Sequence, residues 1–340
     1  EMTRLRTDVR AALDRAAERD STRPAVFLAR GAYFRHLEML ENARNELDYA
    51  LELEPESLDG WLALAECDMA ADRALDAADS LNRAADLDPN DVSLFERLGE
   101  ALLAAGDAAG AVRAFEEGLE LASDRAALYC GRGQASLDLE LHEDALEDAD
   151  QAIALDANGP RGWLLRGQAL YGLARDQEAV SAFSRALELA PGDLEARRLR
   201  GDALWSLASF DRAADDYRAV VAVQAEDADA WLGLGEAQFQ LGQVEDALLA
   251  VRRALEPLED LDEGHLRDEL ERLDDPLRVG RDRLDERELL EAERLLQRLD
   301  REDARQVALV VLDDDGGLVE ALPELGHVLA QVLEGLEVVG

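Results

Sequence analysis

The chain has 340 residues and carries 77 acidic against 36 basic side chains, a formal net charge of −41. Every basic residue is Arg, and that balance excludes partners that demand a cationic face: nucleic acid and anionic membrane surfaces repel such a chain. With 48% hydrophobic residues and only 8 Pro, the composition is that of a folded, helix-prone chain and not of a disordered one.

Two readings of the acidity stand side by side. Hydrated carboxylates can cover a surface for solubility or high salt, or they can attract basic partners. The absence of Lys and the single Ile153 point to a GC-rich coding bias and carry no functional meaning. No apolar run approaches the length of a membrane helix, and "EMTRLRTDVRAALDRAAERD" lacks the apolar core of a signal peptide, so a cytoplasmic location without membrane insertion is expected.

Residues 1–23 read as an N-terminal capping helix or a partial repeat, with Val9, Leu13 and Ala16 on the positions of a second helix. From Pro24 a 34-residue pattern runs without insertion or deletion through residue 261, giving seven copies: 24–57, 58–91, 92–125, 126–159, 160–193, 194–227 and 228–261. The fourth position is large: Phe27, Trp61, Phe95, Tyr129, Trp163, Arg197 as the exception, and Trp231. The eighth is small: Gly31, Ala65, Gly99, Gly133, Gly167, Gly201 and Gly235. The twentieth is Ala throughout, from Ala43 to Ala247, and the twenty-seventh is Ala in five copies, Gly118 in the third and Val220 in the sixth.

Each copy therefore predicts two amphipathic helices joined by a short turn, the large side chains of one helix filling the notches left by small residues of the next. Pro55, Pro89 and Pro191 end the second helix where they occur. One such helical hairpin cannot bury its apolar stripe alone, so stability requires stacking. Cys67 and Cys130 fall two copies apart, beyond disulfide reach.

Residues 262–304 read as charged capping helices, with Leu266, Leu270 and Leu273 before Pro276 and Leu289 to Leu299 after it. Residues 305–340 change character: Val307 to Leu312 and Leu318 to Leu322 predict a β-hairpin about the turn at Asp314 to Gly317, and Pro323 opens a helix. The acids Asp313, Asp314 and Asp315 lack the alternating spacing of a calcium loop and read as turn chemistry.

The repeated pattern resembles the tetratricopeptide repeat. "WLGLGEAQ" from Trp231 and "AVSAF" from Ala179 match that family's W-x₂-L-G and A-x₃-F segments. The resemblance implies an all-α fold, a right-handed superhelical solenoid of helix-turn-helix repeats, here followed by a short C-terminal α/β segment. It also implies that the first helices line a concave groove, with the fifth, ninth and twelfth positions among those facing in.

Those positions name the candidate partner-binding residues. The twelfth gives Met69, Leu103, Leu137, Tyr171, Trp205 and Phe239 after Arg35; the ninth gives Glu66, Glu100, Gln134, Gln168, Asp202 and Glu236. An apolar row that becomes aromatic, beside a ladder of carboxylates and amides, suits a peptide-binding surface. The competing reading is that the twelfth-position residues only pack against neighbouring first helices. Where some relatives grip a C-terminal carboxylate with basic residues, these positions are acidic or apolar, so a carboxylate clamp is not expected. A basic or amphipathic segment is the better fit.

No catalytic constellation emerges. His36, His142, His265 and His327 are scattered, and the Gly131-x-Gly133 and Gly233-x-Gly235 pairs are helix-packing glycines with no preceding strand. Neither a metal site nor a cofactor is expected. The sequence thus predicts a non-catalytic protein-interaction scaffold or adaptor. The alternative is a regulatory subunit whose C-terminal segment, similar to the first half of a roadblock/LC7 domain, docks to an enzyme or GTPase; self-association stays open.

Overall fold

The structure is a computed structural model and describes residues 2–255; the expectations for 262–304 and 305–340, the roadblock/LC7 resemblance included, lie outside the described residues. All regular structure in the described part is helical. A leading helix, α1 (Met2–Arg19), precedes α2 (Pro24–His36), α3 (Leu40–Leu53), α4 (Leu58–Ala70), α5 (Ala74–Leu87), α6 (Val92–Ala104), α7 (Ala108–Leu121) and α8 (Ala126–Asp138). Then follow α9 (His142–Leu155), α10 (Pro160–Gly172), α11 (Asp176–Leu189), α12 (Leu194–Ser206), α13 (Phe210–Val221), α14 (Ala228–Gln240) and α15 (Val244–Leu255). Even-numbered helices are the first helices of the hairpins and odd-numbered ones from α3 the second. The chain divides into two compact units, Glu1–Asp193 and Leu194–Gly340.

The turn inside each hairpin is made by one device. The fifteenth position of every copy has a positive φ: Glu38, Asp72, Gly106, Glu140, Ala174, Ala208 and Gly242. That left-handed residue lets two N–H groups fold back onto the helix end, as where Ala174 N–H donates to Tyr171 C=O and Arg175 N–H to Leu170 C=O, both at 2.9 Å. This is a Schellman closure, and it satisfies carbonyls the helix would otherwise leave open. Gly suits the conformation, yet only two copies use it, so five tolerate a side chain there at some cost.

Phe27 and Phe95 are buried in the core, and the fourth-position aromatics that carry a polar atom do a second task. The Nε1–H of Trp61, Trp163 and Trp231 donates to the carbonyls of Pro55, Ala157 and Ala225, at 2.8, 3.1 and 2.9 Å, and Tyr129 Oη–H reaches Ser123 C=O at 3.3 Å. Each bond ties a first helix to the linker before it. Phe27 has no such donor, and Tyr49, packed edge-on against Phe27, donates to Ser21 C=O instead.

In the first unit α3, α5, α7 and α9 each pack between the first helices of their own and the following hairpin, and first helices touch where α2 meets α4, α6 meets α8 and α8 meets α10. The core runs through these seams. Ala77, Ala111, Ala145 and Ala179 have no exposed surface, which allows helix axes to approach closely. Into the gaps go Leu47, Leu81, Phe115 and Phe183, all buried. In the second unit α13 packs between α12 and α14, with Tyr217 in the corresponding gap. Both cysteines are free and buried.

Candidate functional site

In a helix of 3.6 residues per turn, positions five, nine and twelve share a face, offset from the eighth and eleventh that turn inward. The burial pattern follows: in α10, Gly167 and Leu170 are buried while Leu164, Gln168 and Tyr171 are half-buried. Of the twelve candidate residues none is buried; Met69 and Glu100 are exposed and the rest half-buried.

In the first unit the face is partly consumed by the fold. Met69, 39% exposed, is the most open of its row. Leu103 packs on the edge of the core cluster of Ala111, Phe115, Leu128 and Ala135, as the packing reading expects. Glu66 is paired with Arg35 at 2.9 Å and with Arg97 at 3.4 Å, an ion ladder joining three first helices. The Gln134 amide donates to Asp138 at 3.2 Å within α8. Sequence reasoning missed the roles of Arg97 and Asp138; for Asp138 the four-residue helical spacing from Gln134 was a usable signal. Leu137, Gln168 and Tyr171 lie half-buried on the same faces of α8 and α10.

The second unit has a different electrostatic character. Tyr217 Oη–H donates to Asp202 Oδ1 at 2.6 Å, and Arg198 Nη1 lies 3.6 Å from Oδ2. A quarter of the Asp202 side chain is exposed, yet the surrounding protein mass dominates: burial pushes its pKa up to about 6 against the hydrogen bond from Tyr217 and the pull of Arg198. Glu236, half-buried, has no cationic partner among the described residues; burial and the neighbouring Asp202 push it up to about 7. One turn on from these acids stand Trp205 and Phe239, both half-buried. Trp205 meets Phe210 edge-on, centroids 6.2 Å apart, and its Nε1 is buried without an acceptor among the described residues.

The raised acid makes stability depend on pH. Glu236 holds its proton up to about 7 in the folded chain, against an ordinary 4.5, so between those values the folded state binds more protons than the unfolded. Stability therefore falls as pH rises through that window. Glu236→Gln is expected to gain on the order of 2 kcal/mol at pH 8 and nothing near pH 4, read from urea denaturation at the two pH values; equal gains at both would refute the assignment.

Among the described residues no group of three His, Cys, Asp or Glu side chains is placed to hold a metal ion. Among them, too, no helix is long and apolar enough to cross a membrane.

The tetratricopeptide repeat family matches residues 96–160, 130–193 and 198–262. A comparison with curated proteins returns no match. Among solved structures, a tetratricopeptide repeat protein from Parabacteroides merdae superposes with a TM-score of 0.60 at 15% identity, covering 73% of this chain and 97% of the other. A chain of the APC/C hetero-tetramer Cut9-Hcn1 gives 0.57 at 18% identity, over 75% of this chain and half of that one. Pseudomonas aeruginosa pilF gives 0.50 at 19% identity, over 66% of this chain and 99% of that one. At these identities the likeness is one of fold. With the small-residue seams and the repeated turns, the hairpins covered by the family matches are tetratricopeptide repeats, and the described residues as a whole share the fold of such solenoids.

Proposed function

We propose that this chain is a non-catalytic protein-interaction scaffold that holds a peptide or helix of a partner on the exposed faces of its first helices. The observation that supports the reading is the twelfth-position row. Tyr171, Trp205 and Phe239 keep part of their apolar surface in contact with solvent, although the eleventh-position side chains beside them, Leu170, Leu204 and Gln238, are buried. Aromatic side chains left partly open contribute large contact area for little lost side-chain freedom, which is how binding hot spots are built. The flanking acids favour a basic or amphipathic partner segment.

The test is affinity capture with the full chain and with a Tyr171→Ala, Trp205→Ala, Phe239→Ala triple variant, helicity and thermal unfolding being measured on both. The expected result is a set of partners retained by the parent chain and lost by a folded variant. Retention of the same partners by the variant, with loss on deletion of 285–340, would overturn the reading and place recognition in the C-terminal segment.

A further inference from the structure

The described residues of the second unit carry a charge imbalance. Helices α12 and α14 touch each other as first helices of adjacent hairpins, and they carry Asp202 and Glu236 at equivalent positions. The charges around this pair are unequal. Arg198 of α12 pairs with Asp202. From α13 comes the neutral Tyr217 hydroxyl, and Asp227, which caps α14, and Asp229 in its first turn add their negative field on Asp202. On α15 the described charged side chains, Asp246 and Arg253, are exposed. Among the described residues one guanidinium thus answers two carboxylates, and Glu236 is the one left over.

No other described pair of successive first helices repeats this. In the first unit Glu66 already has Arg35 and Arg97, Glu100 is exposed to solvent where Glu236 is half-buried, and Gln134 and Gln168 carry no charge. Apolar surface completes the α12–α14 face: Trp205 and Phe239 lie three residues beyond Asp202 and Glu236, on the same side of their helices.

We infer that the α12–α14 face is a slot for one cationic side chain of a partner, arginine in preference to lysine, whose apolar neighbours in the partner segment cover Trp205 and Phe239. The slot rests on the scaffold reading above and narrows it to a partner of stated chemistry. Charge complementarity selects the cation. Arginine is favoured because its planar guanidinium can bond two carboxylates at once and stack on an aromatic ring, which a lysine ammonium does less well. Entry of the cation also favours the ionised form of Glu236, so binding near neutral pH expels a proton.

Short random peptides displayed on phage, selected on the immobilised full chain and on its E236Q and D202N variants, test this directly. The expected result is enrichment of arginine at one position beside apolar residues on the parent chain, weakened on both variants. A peptide so selected should lose about tenfold in affinity when its arginine is replaced by citrulline, and should lose little by that change against E236Q. Calorimetry of the same peptide at pH 7 in two buffers of different ionisation enthalpy should show release of about half a proton by the parent and none by E236Q.

Peptides selected without a basic preference, or bound equally by E236Q, would overturn the slot and leave the scaffold reading standing. Failure to select any peptide that the triple aromatic variant loses would remove both. Because E236Q is expected to be at least as stable as the parent, lost binding would not reflect unfolding.

Discussion

Gly131→Leu is expected to destabilise the chain by about 3 kcal/mol, and adding Phe115→Ala, which alone costs about as much, is expected to restore all but about 1 kcal/mol. The Phe115 ring is buried in a slot between α6 and α8 where both helices carry glycine. A Cβ on Gly99 would stand 2.5 Å from Phe115 Cζ, and one on Gly131 would stand 2.5 Å from Cε1. Neither helix can add a side chain while the ring is there.

One repeat later the same volume is filled from the opposite side. Ala149 replaces the phenylalanine, and Leu165 stands where Gly131 did, its Cδ2 2.5 Å from the position a Cβ on Gly133 would take. The double variant copies that arrangement into the preceding seam. Urea denaturation of the two single variants and the double measures the coupling. Additive losses would show that the seams do not exchange volume in this way.

A second restoration is expected at Arg132 and Asp148. Arg132 Nε and Nη2 bond both oxygens of buried Asp148, at 3.0 and 2.6 Å. The same bidentate relation holds for Arg200 with Asp216, and Arg30 meets Glu46 at the same spacing through Nη2 and Oε1 alone, at 3.1 Å. In three other copies both members are replaced together, Leu64 with Ser80, Leu98 with Ala114, and Leu234 with Ala250, and only Arg166 keeps the arginine without the acid.

Asp148→Ala should therefore cost about 2 kcal/mol, because it leaves a guanidinium without its bidentate partner. The cost stays below that of a fully buried pair, since Arg132 keeps 28% of its side chain exposed and Glu116 lies 4.0 Å away. Arg132→Leu together with Asp148→Ala is expected to match the parent chain within about 1 kcal/mol, the apolar pair replacing the ionic one. A double variant as unstable as Asp148→Ala alone would mean that the ion pair has a task the apolar pair cannot take over.

Both cases show what periodicity reports and what it averages away. The hairpins, their length and their stacking were legible because small residues at positions eight, twenty and twenty-seven are steric conditions that every copy must meet. The compensations were not legible in that frame. Arg166 has Ala182 at the expected partner position and turns back to Asp150 of the preceding hairpin, at 2.8 Å. A period assigns a position one mean environment, whereas Leu165 and Phe115 fill equivalent gaps from different positions.

The candidate face divides in the same way. Which residues line the first helices followed from helical spacing alone. That Glu66 is already held by two arginines, that Leu103 leans on the core, and that Glu236 has no cationic partner among the described residues depended on distances between helices that share no local sequence signal.

By itself the sequence determined that this chain builds stacked helical hairpins, since recurrence of size at fixed spacing admits no other way to bury the apolar stripes. Only the tertiary structure decided which charges find partners, because ion pairing and desolvation depend on side chains brought together across helices. The described hairpins are alike in backbone and unlike in electrostatics for that reason.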